Sequence, residues 1–229
     1  MLEIQGLYAA YGEGMVLRDI NLQADKGSIT CLVGRNGAGK TTLMKSIMGL
    51  LDTPKGSVKQ GEKELSSLPS YMRAKSGIGY VPQGREIFPQ LTVRENLLLG
   101  LEAGENGRNR VPEDIFDIFP ILKEFLNRKG GDLSGGQQQQ LAIARAMVSS
   151  PQVLILDEPT EGIQPSVIEE IGIILLKLKE NMAVFIAEQY LEFVMDIADD
   201  CYVMENGEII MHGKTEELDQ IKLQATMSL

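Results

Sequence analysis

The segment Gly34–Thr41, with the sequence GRNGAGKT, fits the pattern G-x-x-x-x-G-K-[ST], in which a glycine-rich loop surrounds phosphate groups. It follows a continuous β-type run, Ser28–Val33, and leads into a helical segment, Thr41–Leu50. A helix N-terminus carries a partial positive charge that favours anions. This order of elements predicts an α/β fold with a phosphate-binding loop at the end of a buried strand. The alternative is an ordinary strand–helix turn with a surface lysine.

The chemistry of the loop assigns a role to each part of it. Glycines let the backbone curl so that its N–H groups point at phosphate oxygens. Lys40 is predicted to hold the β- and γ-phosphates, and the Thr41 hydroxyl to be a ligand of Mg²⁺. The residues predicted to bind the nucleotide here are Asn36, Gly37, Ala38, Gly39, Lys40, Thr41 and Thr42.

A second motif consists of the apolar run Val153–Leu156 followed by Asp157 and Glu158. The run predicts a strand buried on both faces, whose end delivers two carboxylates to the phosphate site. Asp157 is the candidate metal ligand, usually through water, and Glu158 is the candidate general base for an attacking water. Alone, these carboxylates could equally cap the following helix; beside a phosphate loop, the catalytic interpretation is favoured.

A third motif, Ser134-Gly135-Gly136-Gln137, precedes a segment with helical periodicity. Its serine and glycines predict a cluster of N–H groups at a helix N-terminus, which can bind an anion. Taken alone, the motif is also typical of an ordinary helix N-cap.

The charge and the rare residue types exclude several classes of function. The 229 residues include 22 Lys and Arg against 32 Asp and Glu, a net charge of −10. Since acidic chains bind nucleic acid poorly, we expect no nucleic-acid partner. The single histidine, His212, excludes sites that need several histidines. Cys31 and Cys201 lie in apolar runs and are expected to be reduced core thiols. With no membrane-spanning stretch and no signal sequence, the expected location is cytoplasmic.

The distribution of elements predicts a single domain, 1–229, with an insertion. Alternating apolar residues near the N-terminus predict antiparallel strands. Residues 1–83 and 148–229 are predicted to form the α/β core. Residues 84–147, which include the third motif, are predicted to form a helical subdomain.

Local patterns predict further elements. Helical periodicity covers Val93–Leu101 and Ile115–Phe125. The dipeptide Asn206-Gly207 predicts the turn of a late β-hairpin. The tail after Lys214 is predicted to be a short amphipathic helix.

The three motifs, in this order and from Leu2 to about Glu217, resemble those of ATP-binding subunits of ABC transporters. The resemblance implies an ATPase core with a mixed sheet, an N-terminal antiparallel β subdomain and an inserted α-helical subdomain. It implies ATP and Mg²⁺ as ligands, and a dimer in which Ser134–Gln137 of one subunit closes on ATP held by the other. It also implies that Tyr11 stacks on adenine and that Gln83 contacts Mg²⁺ and the attacking water. The alternatives are an aromatic at a strand end and a plain loop residue.

The same resemblance implies partners. They are a second ATP-binding subunit, two transmembrane permease subunits and, indirectly, a solute-binding protein, with this chain peripheral on the cytoplasmic face of the inner or plasma membrane. The segment Gly84–Asn96 follows Gln83 and is the candidate docking surface, with Phe88 and Leu91 as apolar anchors; the alternative is a solvated loop. Whether the dimer pairs this chain with itself or with a sister subunit stays open.

Two positions depart from the general family pattern. The strand Ala183–Ala187 leads to Gln189, where the family usually has its switch histidine, and Gln164 stands where the loop after Glu158 usually has aspartate. Glutamine can donate and accept hydrogen bonds, so Gln189 could still contact the γ-phosphate, but it cannot become cationic. The alternative is that Gln189 is a spacer.

Both departures resemble the branched-chain amino-acid importer type. Within that type, Gly79–Pro89, the glutamines of Ser134–Gln140 and the segment Asp157–Gln164 are similar to the second ATP-binding subunit of bacterial urea importers. Urea is therefore the expected solute, with branched-chain or other amino acids, or short amides, as alternatives. The other classes considered are a soluble ABC protein of translation, repair or cluster assembly and a non-catalytic regulatory subunit. The intact Lys40 and Glu158 argue against the regulatory subunit.

Overall fold

Two β-sheets organise the chain in a computed structural model that describes residues 1–53, 55–104 and 110–218. An antiparallel sheet has the strand order β2-β1-β4-β5, and a mixed sheet has the order β10-β9-β3-β8-β7-β6. The strands are β1 (Leu2–Tyr11), β2 (Gly14–Ala24), β3 (Ile29–Val33), β4 (Lys55–Gln60), β5 (Lys63–Glu64), β6 (Ile78–Val81), β7 (Val153–Asp157), β8 (Ala183–Glu188), β9 (Asp200–Glu205) and β10 (Glu208–Lys214).

Helices alternate with the strands of the mixed sheet, and several of them lie between β6 and β7. They are α1 (Lys40–Ile47), α2 (Ser70–Lys75), α3 (Val93–Gly100), α4 (Asp114–Ile118), α5 (Pro120–Glu124), α6 (Gly135–Met147), α7 (Pro165–Leu178) and α8 (Leu191–Ile197). Within the described part of the chain, none of these helices has the length and apolar character needed to cross a membrane.

The mixed sheet places the sequence motifs at one edge. Strands β3, β7 and β8 are buried along their whole length, as expected for parallel strands covered on both faces. Strand β8 pairs in parallel with both β3 and β7, and β6 pairs in parallel with β7. The carboxyl ends of these strands therefore meet at one edge, where ligands bind in open α/β sheets. This arrangement, with the separate antiparallel sheet, confirms the predicted fold class.

The helical periodicity predicted over Ile115–Phe125 is realised as more than one helix. The segment forms two short helices, α4 and α5, that meet at Phe119, whose φ and ψ are −123° and 66°. Proline at position 120 causes the break, because its ring disfavours the helical conformation in the preceding residue and it has no N–H to donate. The deeply buried Phe119 anchors the junction in the core.

Other local predictions have mixed outcomes. The N-terminal antiparallel strands and the Asn206-Gly207 turn between β9 and β10 are confirmed. Cys31 and Cys201 are buried, free thiols on neighbouring strands, and burial raises the pKa of both. The predicted tail helix lies largely outside the described residues; the part that is described, Thr215–Glu217, is a single 3₁₀ turn.

Candidate functional site

The phosphate loop joins β3 to α1 and places a buried ammonium at the sheet edge. Gly37 and Gly39 have φ values of +83° and +112°, which residues with side chains rarely adopt. The Lys40 side chain is 4% exposed. Its Nζ donates to the Gly34 carbonyl at 2.7 Å and forms an ion pair with Glu158 Oε1 at 3.1 Å. Lys40 is thus directed across the loop towards the end of β7. An incoming phosphate could take the place of Glu158 as its partner.

The β9–β10 turn holds the loop from the other side. The Gly207 N–H donates to the Ala38 carbonyl at 2.8 Å, and the Gly207 carbonyl accepts from the Arg18 N–H at 2.9 Å. Through Arg18, the antiparallel sheet lies next to the phosphate loop. Tyr11 ends β1 in this sheet, and its ring is 52% exposed. An aromatic face is therefore free to stack on a flat ligand.

Asp157 ends β7 as a buried carboxylate. It is 2% exposed, and neither of its oxygens has a hydrogen-bond partner in the described part of the chain. Burial raises the pKa of Asp157 to about 6; the nearby Thr41 hydroxyl and the Lys40 ammonium act in the opposite direction, and Glu158 raises the pKa further.

An unpartnered buried carboxylate beside a hydroxyl fits a hard divalent cation, which prefers oxygen ligands. The described residues contain no cluster of three or more His, Cys, Asp or Glu side chains that could hold a metal alone. Mg²⁺ at Asp157 and Thr41 therefore needs oxygens from water or from the nucleotide, as is usual for Mg²⁺ bound to phosphates.

Glu158 lies between two donors. Its backbone has a φ of +49°, a left-handed conformation that turns the chain sharply after the strand. Its Oε1 pairs with Lys40, and its Oε2 accepts from the Gln83 Nε2 at 3.0 Å. The same Gln83 nitrogen donates to Glu161 Oε2 at 3.2 Å. The structure thus brings together Lys40, Gln83 and Glu158, which lie far apart in the sequence.

Arg85, which was not among the residues predicted from the sequence, links the Gln83 loop to two other elements. Its guanidinium donates to the Glu161 carbonyl at 2.9 Å and to Gln139 Oε1, on α6, at 3.3 Å. Arg85 has a φ of +71°, and Arg145 of α6 donates to its carbonyl at 3.3 Å. The loop after Gln83 is therefore attached both to the loop after Glu158 and to α6.

Gln189 follows β8 and is exposed, whereas the residue before it is buried. Glu188 is 2% exposed and accepts from the backbone N–H groups of Gln189 at 2.6 Å and Tyr190 at 3.0 Å. It also accepts from the Thr160 N–H at 3.1 Å and the Thr160 hydroxyl at 2.5 Å. Glu188 was not among the residues predicted from the sequence, although an acidic residue at the end of a fully apolar strand is a signal that could have indicated it.

The third motif begins α6 as a reciprocal capping box. The Ser134 Oγ accepts from the Gln137 N–H at 3.3 Å, and Gln137 Oε1 accepts from the Ser134 N–H at 2.9 Å. Ser134 is exposed and Gly135 half-buried. Gly136 is buried against α7, where a Cβ would lie 2.5 Å from a methyl group of Val167. Glycine is therefore required at position 136 for close packing.

Some predicted residues are not brought together. Among the described residues, no hydrogen bond or ion pair joins Ser134–Gln137 to Lys40, Asp157 or Glu158. The third motif and the phosphate loop therefore lie apart in the described part of the chain. Gln164 is exposed at the start of α7 and makes no capping hydrogen bond through its side chain.

The single histidine lies outside both the phosphate loop and the third motif. His212 stacks on Tyr202, with ring centroids 5.4 Å apart, in the edge strand β10.

Known proteins with a similar sequence indicate the family of this chain. The model of the ABC transporter family matches residues 17–161. The high-affinity branched-chain amino acid transport ATP-binding protein BraG of Pseudomonas aeruginosa is 40% identical over 214 residues, which cover 93% of this chain and 92% of that protein. The probable branched-chain amino acid transport ATP-binding protein LivF of Archaeoglobus fulgidus is 39% identical over 222 residues, which cover 95% and 94% of the two chains.

A solved structure agrees in fold. The dimeric post-hydrolysis state of the ATP-binding cassette MJ0796 bound to ADP and Pi superposes with a TM-score of 0.84 at 26% identity, covering 95% of this chain and 100% of that one. The MJ0796 cassette in that structure is in a post-hydrolysis state. The chain therefore belongs to the ABC transporter family as an ATP-binding subunit and is an ATPase.

Proposed function

We propose that this chain hydrolyses ATP to drive solute import, with Glu158 as the general base. The observation that carries this proposal is the placement of Glu158 between Lys40 and Gln83, next to the unpartnered Asp157. A base must lie within hydrogen-bond reach of the water that it activates. When a γ-phosphate becomes the partner of Lys40, Glu158 is released to accept a proton from water.

The remaining residues bind and position the reactants. Lys40 and the N–H groups of the phosphate loop hold the β- and γ-phosphates, and Gln83 orients the attacking water beside Glu158. Asp157, Thr41 and Gln83 are the proposed residues for Mg²⁺, which when bound neutralises the charge that develops on the phosphates. Tyr11 stacks on adenine, and Gln189 contacts the γ-phosphate through its amide.

The third motif, Ser134–Gln137, requires a second subunit. The exposed Ser134 precedes a helix, so its surroundings favour an anion, yet among the described residues no hydrogen bond joins Ser134 to Lys40. We propose that Ser134–Gln137 completes the site of a facing subunit, across a dimer that holds ATP at the interface. The dimeric MJ0796 cassette supports this assembly.

Substitution of Glu158 tests the proposed base. Glu158→Gln preserves size and hydrogen bonding but removes the base, so we expect turnover to fall by a factor of about 10² or more. ATP binding is retained, and the dimer accumulates in size-exclusion chromatography because ATP persists. Glu161→Gln is the matched control, since Glu161 also bonds Gln83 but lies away from Lys40; its turnover should stay within about 3-fold of wild type. Near wild-type hydrolysis by Glu158→Gln would refute the assignment.

The docking surface for membrane partners is proposed at Gly84–Asn96, in a helical subdomain proposed to span residues 84–147. The fully buried Asn96 shapes this segment by bonding the Phe88 backbone, as acceptor at 2.9 Å and as donor at 3.0 Å. The Phe88 ring is 49% exposed, with the Arg145 guanidinium 5.4 Å from its centroid. A rigid backbone that presents an exposed aromatic ring supports a role as an interface anchor, whereas Leu91 is half-buried.

Co-purification of the importer tests this surface. Phe88→Ala should reduce recovery of the two transmembrane permease subunits with this chain, because an anchor loses most of its buried area. Tyr71→Ala removes a ring that is 63% exposed on α2 and serves as the control. Equal recovery with both variants would place the interface elsewhere. The proposed assembly puts this chain on the cytoplasmic face of the membrane, with a solute-binding protein reaching it only through the permease.

For the solute, we propose urea, with branched-chain amino acids as the second candidate. Urea rests on the motif resemblance at Gly79–Pro89 and Asp157–Gln164, whereas branched-chain amino acids have the support of BraG and LivF. Uptake of labelled urea and labelled leucine by cells that lack the gene separates the two. We expect urea uptake to be lost and to be restored by the wild-type chain but not by Glu158→Gln. Loss of leucine uptake alone would assign the second candidate.

A further inference from the structure

A buried carboxylate without a cationic partner stands next to the catalytic edge. Glu188 ends β8 at 2% exposure, and the described part of the chain contains no ion pair to it. It accepts instead four hydrogen bonds, two from Thr160 and one each from the N–H groups of Gln189 and Tyr190. A buried charge is costly unless hydrogen bonds compensate it. The four hydrogen-bond donors therefore compensate the burial of the Glu188 carboxylate.

The donors belong to two loops that carry reaction residues. Thr160 lies two residues after Glu158, and Gln189 directly follows Glu188. The Thr160 donors bond Oε1, and the N–H groups of Gln189 and Tyr190 bond Oε2. The Glu158 N–H also donates to the Ala187 carbonyl at 2.9 Å, so the two loops share a second link. One side chain therefore spans the loop of the proposed base and the loop of the proposed γ-phosphate contact.

We propose that Glu188 is a positioning residue for ATP hydrolysis, which fixes the Gln189 loop relative to the Glu158 loop. The inference rests on the proposed roles of Glu158 and Gln189. Glu188 itself is buried and accepts its four hydrogen bonds from protein groups, so it acts by holding both loops in one geometry. Precise placement is worth large factors in rate, since small displacements of reacting groups slow a reaction strongly.

The chemistry of the contact requires a carboxylate of this length. An ionised carboxylate only accepts, and its two oxygens can satisfy all four donors. In Glu188→Gln, one oxygen becomes an NH₂ group that faces N–H or O–H donors, so one of the two loops loses its attachment. Glu188→Asp is one methylene shorter and cannot reach both loops at once.

Steady-state ATPase kinetics separate positioning from general destabilisation. Glu188→Gln is expected to lower kcat by about 10-fold or more, while KM for ATP stays within about 2-fold because Lys40 and the phosphate loop are untouched. Val58→Ala, which truncates a fully buried side chain in the antiparallel sheet, is the stability control. It should lower the melting temperature without lowering kcat at 25 °C.

A double-mutant cycle tests whether Glu188 acts through Gln189. Gln189→Ala should lower kcat, and adding Glu188→Gln to it should lower kcat by less than about 2-fold more. A fully multiplicative loss would overturn the inference, as would wild-type kcat for Glu188→Gln beside an impaired Gln189→Ala. Wild-type kcat for Gln189→Ala would instead refute the proposed role of Gln189, and the inference would fail with it.

Milder variants keep the test valid if Glu188→Gln does not fold. Thr160→Val removes one of the four donors and keeps the shape of the side chain, so we expect kcat to fall by about 3-fold with unchanged KM. Thr160→Ser restores the hydroxyl and should restore kcat. Equal kcat for the two Thr160 variants would overturn the inference.

Discussion

Asp157 makes the stability of this protein depend on pH in a direction opposite to that of most carboxylates. Burial raises the pKa of Asp157 to about 6, from 3.8 in an exposed aspartate, and outweighs the opposite effects of the Thr41 hydroxyl and the Lys40 ammonium. The folded state holds the Asp157 proton more tightly than the unfolded chain does. Proton binding at Asp157 therefore stabilises the fold; this contribution is complete below pH 3.8 and is lost as the pH rises through 6. The difference between the two pKa values corresponds to about 3 kcal/mol at pH 8.

The substitution Asp157→Asn removes this titration while it keeps a buried, neutral side chain of the same shape. With Mg²⁺ removed by EDTA, the melting temperature of the wild type should fall relative to the variant as the pH rises from 5 to 8. Between pH 5 and 8 the Asp157 contribution to the free energy of unfolding falls by about 1.4 kcal/mol, which corresponds to a change in melting temperature of roughly 3 to 6 °C for a chain of this size. Differential scanning calorimetry of both proteins across this range measures the difference.

A second aspartate supplies a control of opposite sign. The pKa of Asp199 is lowered by the Lys179 side chain and by the Ile29 N–H, which together outweigh its partial burial. Asp199→Asn should therefore destabilise the protein at neutral pH, and its effect should shrink as the pH falls below 3.8. If the wild type and Asp157→Asn keep a constant difference in melting temperature from pH 5 to 8, the ionised Asp157 carboxylate is not destabilising and the reasoning fails.

Three further predictions concern the loops around the site. Gly136→Ala places a methyl group 2.5 Å from Val167, so it should destabilise the α6–α7 contact by about 1 to 3 kcal/mol, measured by urea unfolding. Arg85→Gly relieves the positive φ at this position, whereas Arg85→Ala does not, and both variants remove the guanidinium. We expect kcat to fall equally in both, because both lose the side-chain hydrogen bond to the Glu161 loop. A retained kcat in Arg85→Gly alone would assign the effect to the backbone. Gln189→His should leave the affinity for ATP within about 3-fold of wild type in a fluorescent-nucleotide titration, because Gln189 is exposed and lies outside the phosphate loop; a large loss would contradict its proposed position.

The local part of the site could be read from the sequence because each motif is a strand and the residues that directly follow it. Val153–Leu156 is buried as predicted, and Asp157 and Glu158 stand at its end. Gly34–Thr41 likewise joins a buried strand to a helix. The carboxyl ends of parallel strands share an edge, so predicting the strands also placed these residues near one another.

The helical segment was harder to predict because its periodicity conflicts with local chemistry. The apolar pattern of Ile115–Phe125 predicted helical structure, and proline at position 120 divides it into two short helices. The hydrophobic period reports which residues face the core, and Phe119 is indeed fully buried. The period does not report where the backbone hydrogen bonds are interrupted.

The sequence by itself determined the α/β class, the phosphate loop and the two carboxylates after β7, since these depend on short-range patterns of burial and on glycine conformation. Only the tertiary structure decided that Gln83 bonds Glu158, that Arg85 bonds the Glu161 carbonyl, and that Glu188 joins the loops of Thr160 and Gln189. These contacts join residues up to 76 positions apart through loops without periodicity. Their partners are fixed by strand order and by left-handed turns such as that at Glu158, which no local pattern in the sequence encodes.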